Sequence, residues 1–132
     1  MHNIQTCSVH LLATWVGFLC GVLSGAFAGL FFHREDWLGG YGSDPRRLVR
    51  LGHISFFGLG FLNALFALTV WIVQMPEVPV RVASIGLLAG AITMPLCCFA
   101  AAWRKSLRTL FAIPVASLLG SVALVVLMLA RP

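Results

Sequence analysis

The sequence predicts an all-α integral membrane protein, a four-helix bundle with short loops and both termini on the outer side. Four apolar blocks carry the first part of that reading: Leu11–Phe32, Ile54–Met75, Val82–Trp103 and Phe111–Ala130 fill most of the 132 residues, and none contains Lys, Arg, Asp or Glu. Each is close to the ~20 residues a helix needs to cross ~30 Å of hydrocarbon. Composition agrees: 60% of residues are hydrophobic and 10% charged, with a mean hydropathy of +0.97, whereas soluble domains carry about 25% charged residues. In lipid the backbone must satisfy its own polar groups within the segment, so blocks of this length are helices. The length leaves room for one domain, residues 1–132, with helices at about 11–32, 53–75, 82–103 and 111–130.

Charge supplies the orientation. Arg34, Arg46, Arg47 and Arg50 lie in the first connection, and Arg104, Lys105 and Arg108 in the third. The opposite side carries Arg81 and Arg131. Basic residues in short loops mark the cytoplasmic side, so loops 33–52 and 104–110 are expected there, probing the anionic headgroups of a bacterial inner (plasma) membrane. The stretch Met1–His10 holds no Lys or Arg, which suits translocation. A sequence pI near 9.7 would suggest nucleic acid in a soluble protein. Here the charge flanks the bilayer, where each basic residue gains ~1 kcal/mol from anionic lipid, and no nucleic-acid role is expected.

The first helix has the sharpest local pattern. Gly17, Gly21, Gly25 and Gly29 recur every four residues, with Ala13 extending the series and Cys20, Ser24 and Ala28 forming a second small-residue row. Such spacing lets another helix approach closely, so that dispersion replaces the missing hydrophobic drive. The ladder predicts an interface, either inside the chain's own bundle or with another chain.

The first loop reads HREDWLGGYGSDPRRLVRLG. Its glycines and Ser43-Asp44-Pro45 make turns, and Trp37 and Tyr41 suit the membrane boundary. Asp44 is the expected N-cap of a helix starting at Pro45, which places Arg46 and Arg50 on one face. On the second helix, His53, Phe56, Gly60, Asn63, Ala64 and Ala67 fall on one arc at 100° per residue. In the third, Gly86 and Gly90 repeat the small-residue spacing and Pro95 predicts a kink. In the fourth, Pro114 lies in the first turns, with Ala116 and Gly120 at packing spacing.

Three constellations could carry chemistry. His33 and His53 flank the first loop at one depth and could share a metal or a haem iron, with Glu35 and Asp36 as further ligands and Arg50 pairing a propionate. Asn63 is a strongly polar side chain deep in a span. It is expected to bond across helices, or to meet a solute or quinone headgroup. Cys97-Cys98 could bind a soft metal, although cysteine also packs as a small apolar residue. The spans lack the carboxylate or lysine that proton-coupled transport ordinarily uses. The Arg, Asn and Glu motif of the eicosanoid and glutathione membrane enzymes is missing, as are the first-helix Glu of small multidrug transporters and the C-x-x-C pairs of quinone-reducing thiol oxidoreductases.

The expected function is therefore non-enzymatic: a structural or accessory subunit that packs with itself or a larger membrane complex through the glycine ladder. The alternatives are a haem, metal or quinone-type ligand bundle at the His33/His53 edge, and passive passage of a small solute.

Overall fold

The computed structural model describes residues 2–73 and 75–130. Arg131, counted above among the outer basic residues, lies outside them. Four helices are long and apolar enough to cross a membrane, and no strand occurs among the described residues. They are α1 (His2–Leu30), α2 (Asp44–Ile72), α3 (Glu77–Trp103) and α4 (Ala112–Ala130). Two 3-10 turns, Trp37–Gly39 and Lys105–Phe111, occupy the first and third connections.

Three helices extend past the apolar blocks. The first starts at His2, well before Leu11, because nothing between His2 and His10 breaks a helix even though the residues are polar. The second starts at Asp44, so half the expected first loop is helix. Its N-cap is Ser43, whose hydroxyl accepts from the Arg46 N–H, rather than Asp44. Asp44 sits one position later, and its carboxylate receives the Arg108 guanidinium at 2.9 Å, tying the first connection to the third. The third helix starts at Glu77, directly after Pro76.

Neighbouring helices run antiparallel, as their pairings show: Cys7 meets Ala67 and Ser24 meets His53, Phe56 meets Phe99, and Cys97 meets Leu110. α1, α2 and α3 form a three-cornered unit in which α1 and α3 both lean on α2, and His10 of α1 bonds to Ser84 near the start of α3. The backbone of α4 packs along α3 alone. Its side chains Val122, Val125 and Val126 face Leu62, Leu65 and Phe66 of α2 across a narrow cleft. The apolar core lies where α2, α3 and α4 meet, around Phe66, Val70, Val80, Ala83 and Leu87.

The glycines of α1 set how closely it approaches α2. A Cβ on Gly17 would lie 3.1 Å from the Phe56 carbonyl oxygen and 3.7 Å from the Gly60 Cα. One on Gly21 would run into the Phe57 ring, and one on Gly25 into the His53 ring. Nothing lies near Gly29. Three rungs of the ladder are therefore filled by this chain's own α2. Phe18 closes the flank, stacked on Phe57 at 5.9 Å and tilted against Phe61 at 5.0 Å.

Candidate functional site

The polar centre of the molecule lies one turn before the ladder. On α1, His10, Thr14, Gly17 and Gly21 share one face at steps of three and four. His10 is wholly buried and Asn63 almost so. The His10 Nδ1 lies 2.6 Å from Asn63 Oδ1 on α2, and its Nε2 lies 2.8 Å from Ser84 Oγ on α3. At 1.5 Å per residue, all three sit roughly 10–15 Å from the ends of their helices on that side.

The network fixes the imidazole. The Asn63 amide nitrogen donates to the Leu59 carbonyl at 2.7 Å, so the side-chain oxygen is what faces His10. Nδ1 must then carry a proton and donate it, and Nε2 pairs with the Ser84 hydroxyl. The edge of the Phe66 ring meets the imidazole at 4.6 Å between centroids. Below it, Thr14 Oγ1 lies 2.9 Å from the His10 carbonyl and 3.0 Å from the Gly60 carbonyl, adding a second polar link between α1 and α2. Every polar atom of this cluster is spent on a neighbour, so its chemistry is that of a staple across three helices.

Asn63 thus bonds across helices, as its depth suggested, but its partner had been read as part of an outer tail. The signal was present: extending the ladder from Gly17 toward the N-terminus lands on Thr14 after one helical step and on His10 after two. Ala13, with Gly17, lines a groove between α1 and α3.

The structure gives the two loop-flanking histidines different surroundings. His33 is exposed in the turn after α1. His53 is half-buried against α1, with Nδ1 3.1 Å from Ser24 Oγ and its ring edge-on to Phe57. Ser24 gives its proton to the Gly21 carbonyl at 3.0 Å, so the His53 Nδ1–H donates to the Ser24 hydroxyl oxygen. Glu35 and Asp36 are exposed. Among the described residues, no three His, Cys, Asp or Glu side chains gather closely enough to hold a metal. Cys97 and Cys98 are buried free thiols, and Cys97 donates to the Leu110 carbonyl at 3.6 Å.

Arginines organise the other end. Arg46 is buried, 3% exposed. Its guanidinium donates to the carbonyls of Phe32, Arg34 and Glu35, each at 3.4 Å, and lies over the rings of Phe32, Trp37 and Tyr41. It holds the chain leaving α1 against the start of α2. Arg50 stacks on Tyr41 at 4.4 Å and donates to its carbonyl. The turn they clamp places Leu38 at φ 55°, a left-handed backbone that a branched side chain rarely adopts, followed by Gly39 and Gly40 at positive φ.

Comparison of this chain with protein-family models, curated proteins and solved structures finds no match.

Proposed function

We propose that the protein is an integral membrane protein of structural or accessory role, which associates with copies of itself or with a larger membrane complex. In this reading both termini face outward, and the basic loops lie in the cytoplasm beneath a bacterial inner membrane. The observation that carries the reading is the position of α4. Its backbone has α3 as its single helical neighbour, and Ala116 and Gly120 point away from the chain with nothing within 4 Å of a Cβ built on Gly120. The ladder of α1 is mostly spent inside the chain, whereas Ala116 and Gly120 offer a small-residue surface on α4 to another helix. The interior polar side chains, bonded to one another, add to the support for a scaffold.

Association is tested by native mass spectrometry in mild detergent. The wild type is expected to carry a second copy or a co-purifying membrane protein. Gly120→Leu should lose it, because a branched side chain prevents close approach, while Gly29→Leu should retain it. A wild-type chain that is strictly monomeric and alone would refute the reading.

Orientation is tested separately. A cysteine at Ser43 should resist impermeant thiol reagents in intact cells and react once they are permeabilised. Neutralising Arg46, Arg47 and Arg50 should weaken the bias without reversing it, since Arg104, Lys105 and Arg108 remain. Labelling of the Ser43 cysteine in intact cells would reverse the topology.

A further inference from the structure

A groove of about 520 Å³ runs between α1 and α3, with α2 as its floor. Ala13, Gly17 and Cys20 form one wall, Gly60 part of the floor, and Ala91 and Pro95 the other wall. Small residues make it wide. Pro95 adds to this, because it lacks the N–H that would bond the Ala91 carbonyl. At the α1 N-terminal end the groove is closed by the His10–Ser84 link, which pulls α1 and α3 together. The exposed rim residues Val9, Leu12, Val16, Ile92 and Leu96 leave the groove open along its side, and beyond the His10–Ser84 link it continues toward Cys20 and Leu96.

Charge says which end an amphipathic occupant would enter from. Arg34, Arg46, Arg47, Arg50, Arg104, Lys105 and Arg108 gather beyond the Leu96 end against Glu35, Asp36 and Asp44. The Arg108–Asp44 pair is the ion pair found among the described residues there, which leaves Arg104 and Lys105, directly after α3, exposed below the α3 wall. Trp103, 89% exposed, stands at the same level, where indole rings favour the headgroup boundary. From Trp103 to Leu88, the far end of the α3 wall, the helix rises about 22 Å at 1.5 Å per residue. That exceeds the ~15 Å half-thickness of the hydrocarbon core, so a chain rooted at the basic end would reach the middle of the groove.

We propose that this groove holds one acyl chain of an anionic glycerophospholipid, with its phosphate headgroup beside Arg104 and Lys105. The proposal rests on membrane insertion, which the Ser43 labelling tests on its own. The walls recognise hydrocarbon of any kind. The exposed cations select phosphatidylglycerol-type headgroups over zwitterionic ones, through attraction of ~1 kcal/mol per basic residue.

The test is native mass spectrometry of the full chain in micelles containing equal phosphatidylglycerol and phosphatidylcholine. One phosphatidylglycerol should be retained at least tenfold more than phosphatidylcholine. Arg104→Gln with Lys105→Gln should bring the two lipids close to parity, and Ala91→Phe, which fills the groove, should abolish retention of both. Should Ala91→Phe fail to fold, the native thiol of Cys20 decides. With Cys7, Cys97 and Cys98 replaced by Ala, N-ethylmaleimide should modify Cys20 several-fold more slowly in phosphatidylglycerol than in phosphatidylcholine bicelles. Equal retention of the two lipids by the wild type, equal Cys20 rates, or a second protein chain occupying the groove would each overturn the proposal.

Discussion

Replacing Gly17 by Leu is expected to destabilise the chain by about 3 kcal/mol, at the upper end of the ~1–3 kcal/mol typical of overpacking. A Cβ there meets the Phe56 carbonyl oxygen at 3.1 Å. That is backbone in the middle of α2, which cannot swing aside as a side chain can. Gly21→Leu should cost less, since the obstacle is the Phe57 ring, which can rotate. Gly29→Leu meets nothing and should stay within about ±0.5 kcal/mol, as ordinary surface substitutions do. Denaturant titration of the three variants in detergent gives the order. A Gly29 variant as damaging as the Gly17 variant would show that the ladder packs along its whole length against something other than α2.

His10→Ala is the second large effect. It strips Asn63 Oδ1 and the Ser84 hydroxyl of their partners, and a buried unsatisfied group costs about 1–3 kcal/mol. Interhelical hydrogen bonds in membranes average ~0.6 and reach ~1.7 kcal/mol, so a loss of about 2 kcal/mol is expected for the two together. Non-additivity identifies the network. Asn63→Leu should cost clearly less in a His10→Leu background than in the wild type, because removing both partners leaves no orphan. Additivity within ~0.3–0.5 kcal/mol, as for independent sites, would mean that His10 and Asn63 do not share a bond.

The helices themselves were legible, since four uncharged blocks of membrane length admit few alternatives. Their ends were harder. The start of α2 was partly readable from Asp44-Pro45, but Ser43 and Asp44 are both good caps, and what separates them is the reach of Arg108 from the third connection, which no local pattern shows. His10 was missed because the apolar block begins at the next residue, which made a polar side chain look like part of a tail. Its partners, Asn63 and Ser84, are far away in sequence. The ladder announced an interface but could not name the helix across it, because a groove without side chains is the same whichever helix fills it. The outer placement of α4, against α3, was not readable at all. Apart from Ser117 and Ser121 it is apolar or small all round, and in lipid a face that meets another helix need be no more apolar than one that meets hydrocarbon.

The central claim is that the small-residue face of α1 is occupied by α2 of the same chain, and native Cys7 tests it most directly. Its thiol donates to the Ala67 carbonyl at 3.3 Å, and Ala67 is 2% exposed. With Cys20, Cys97 and Cys98 replaced by Ala and Ala67 by Cys, mild oxidation in membranes should form a disulfide within one chain. The product would migrate as a compact monomer, and mixing tagged and untagged chains would yield no linked pairs. Linked pairs between tagged and untagged chains as the main product, or two thiols that stay free under conditions that oxidise an exposed control pair, would contradict the account.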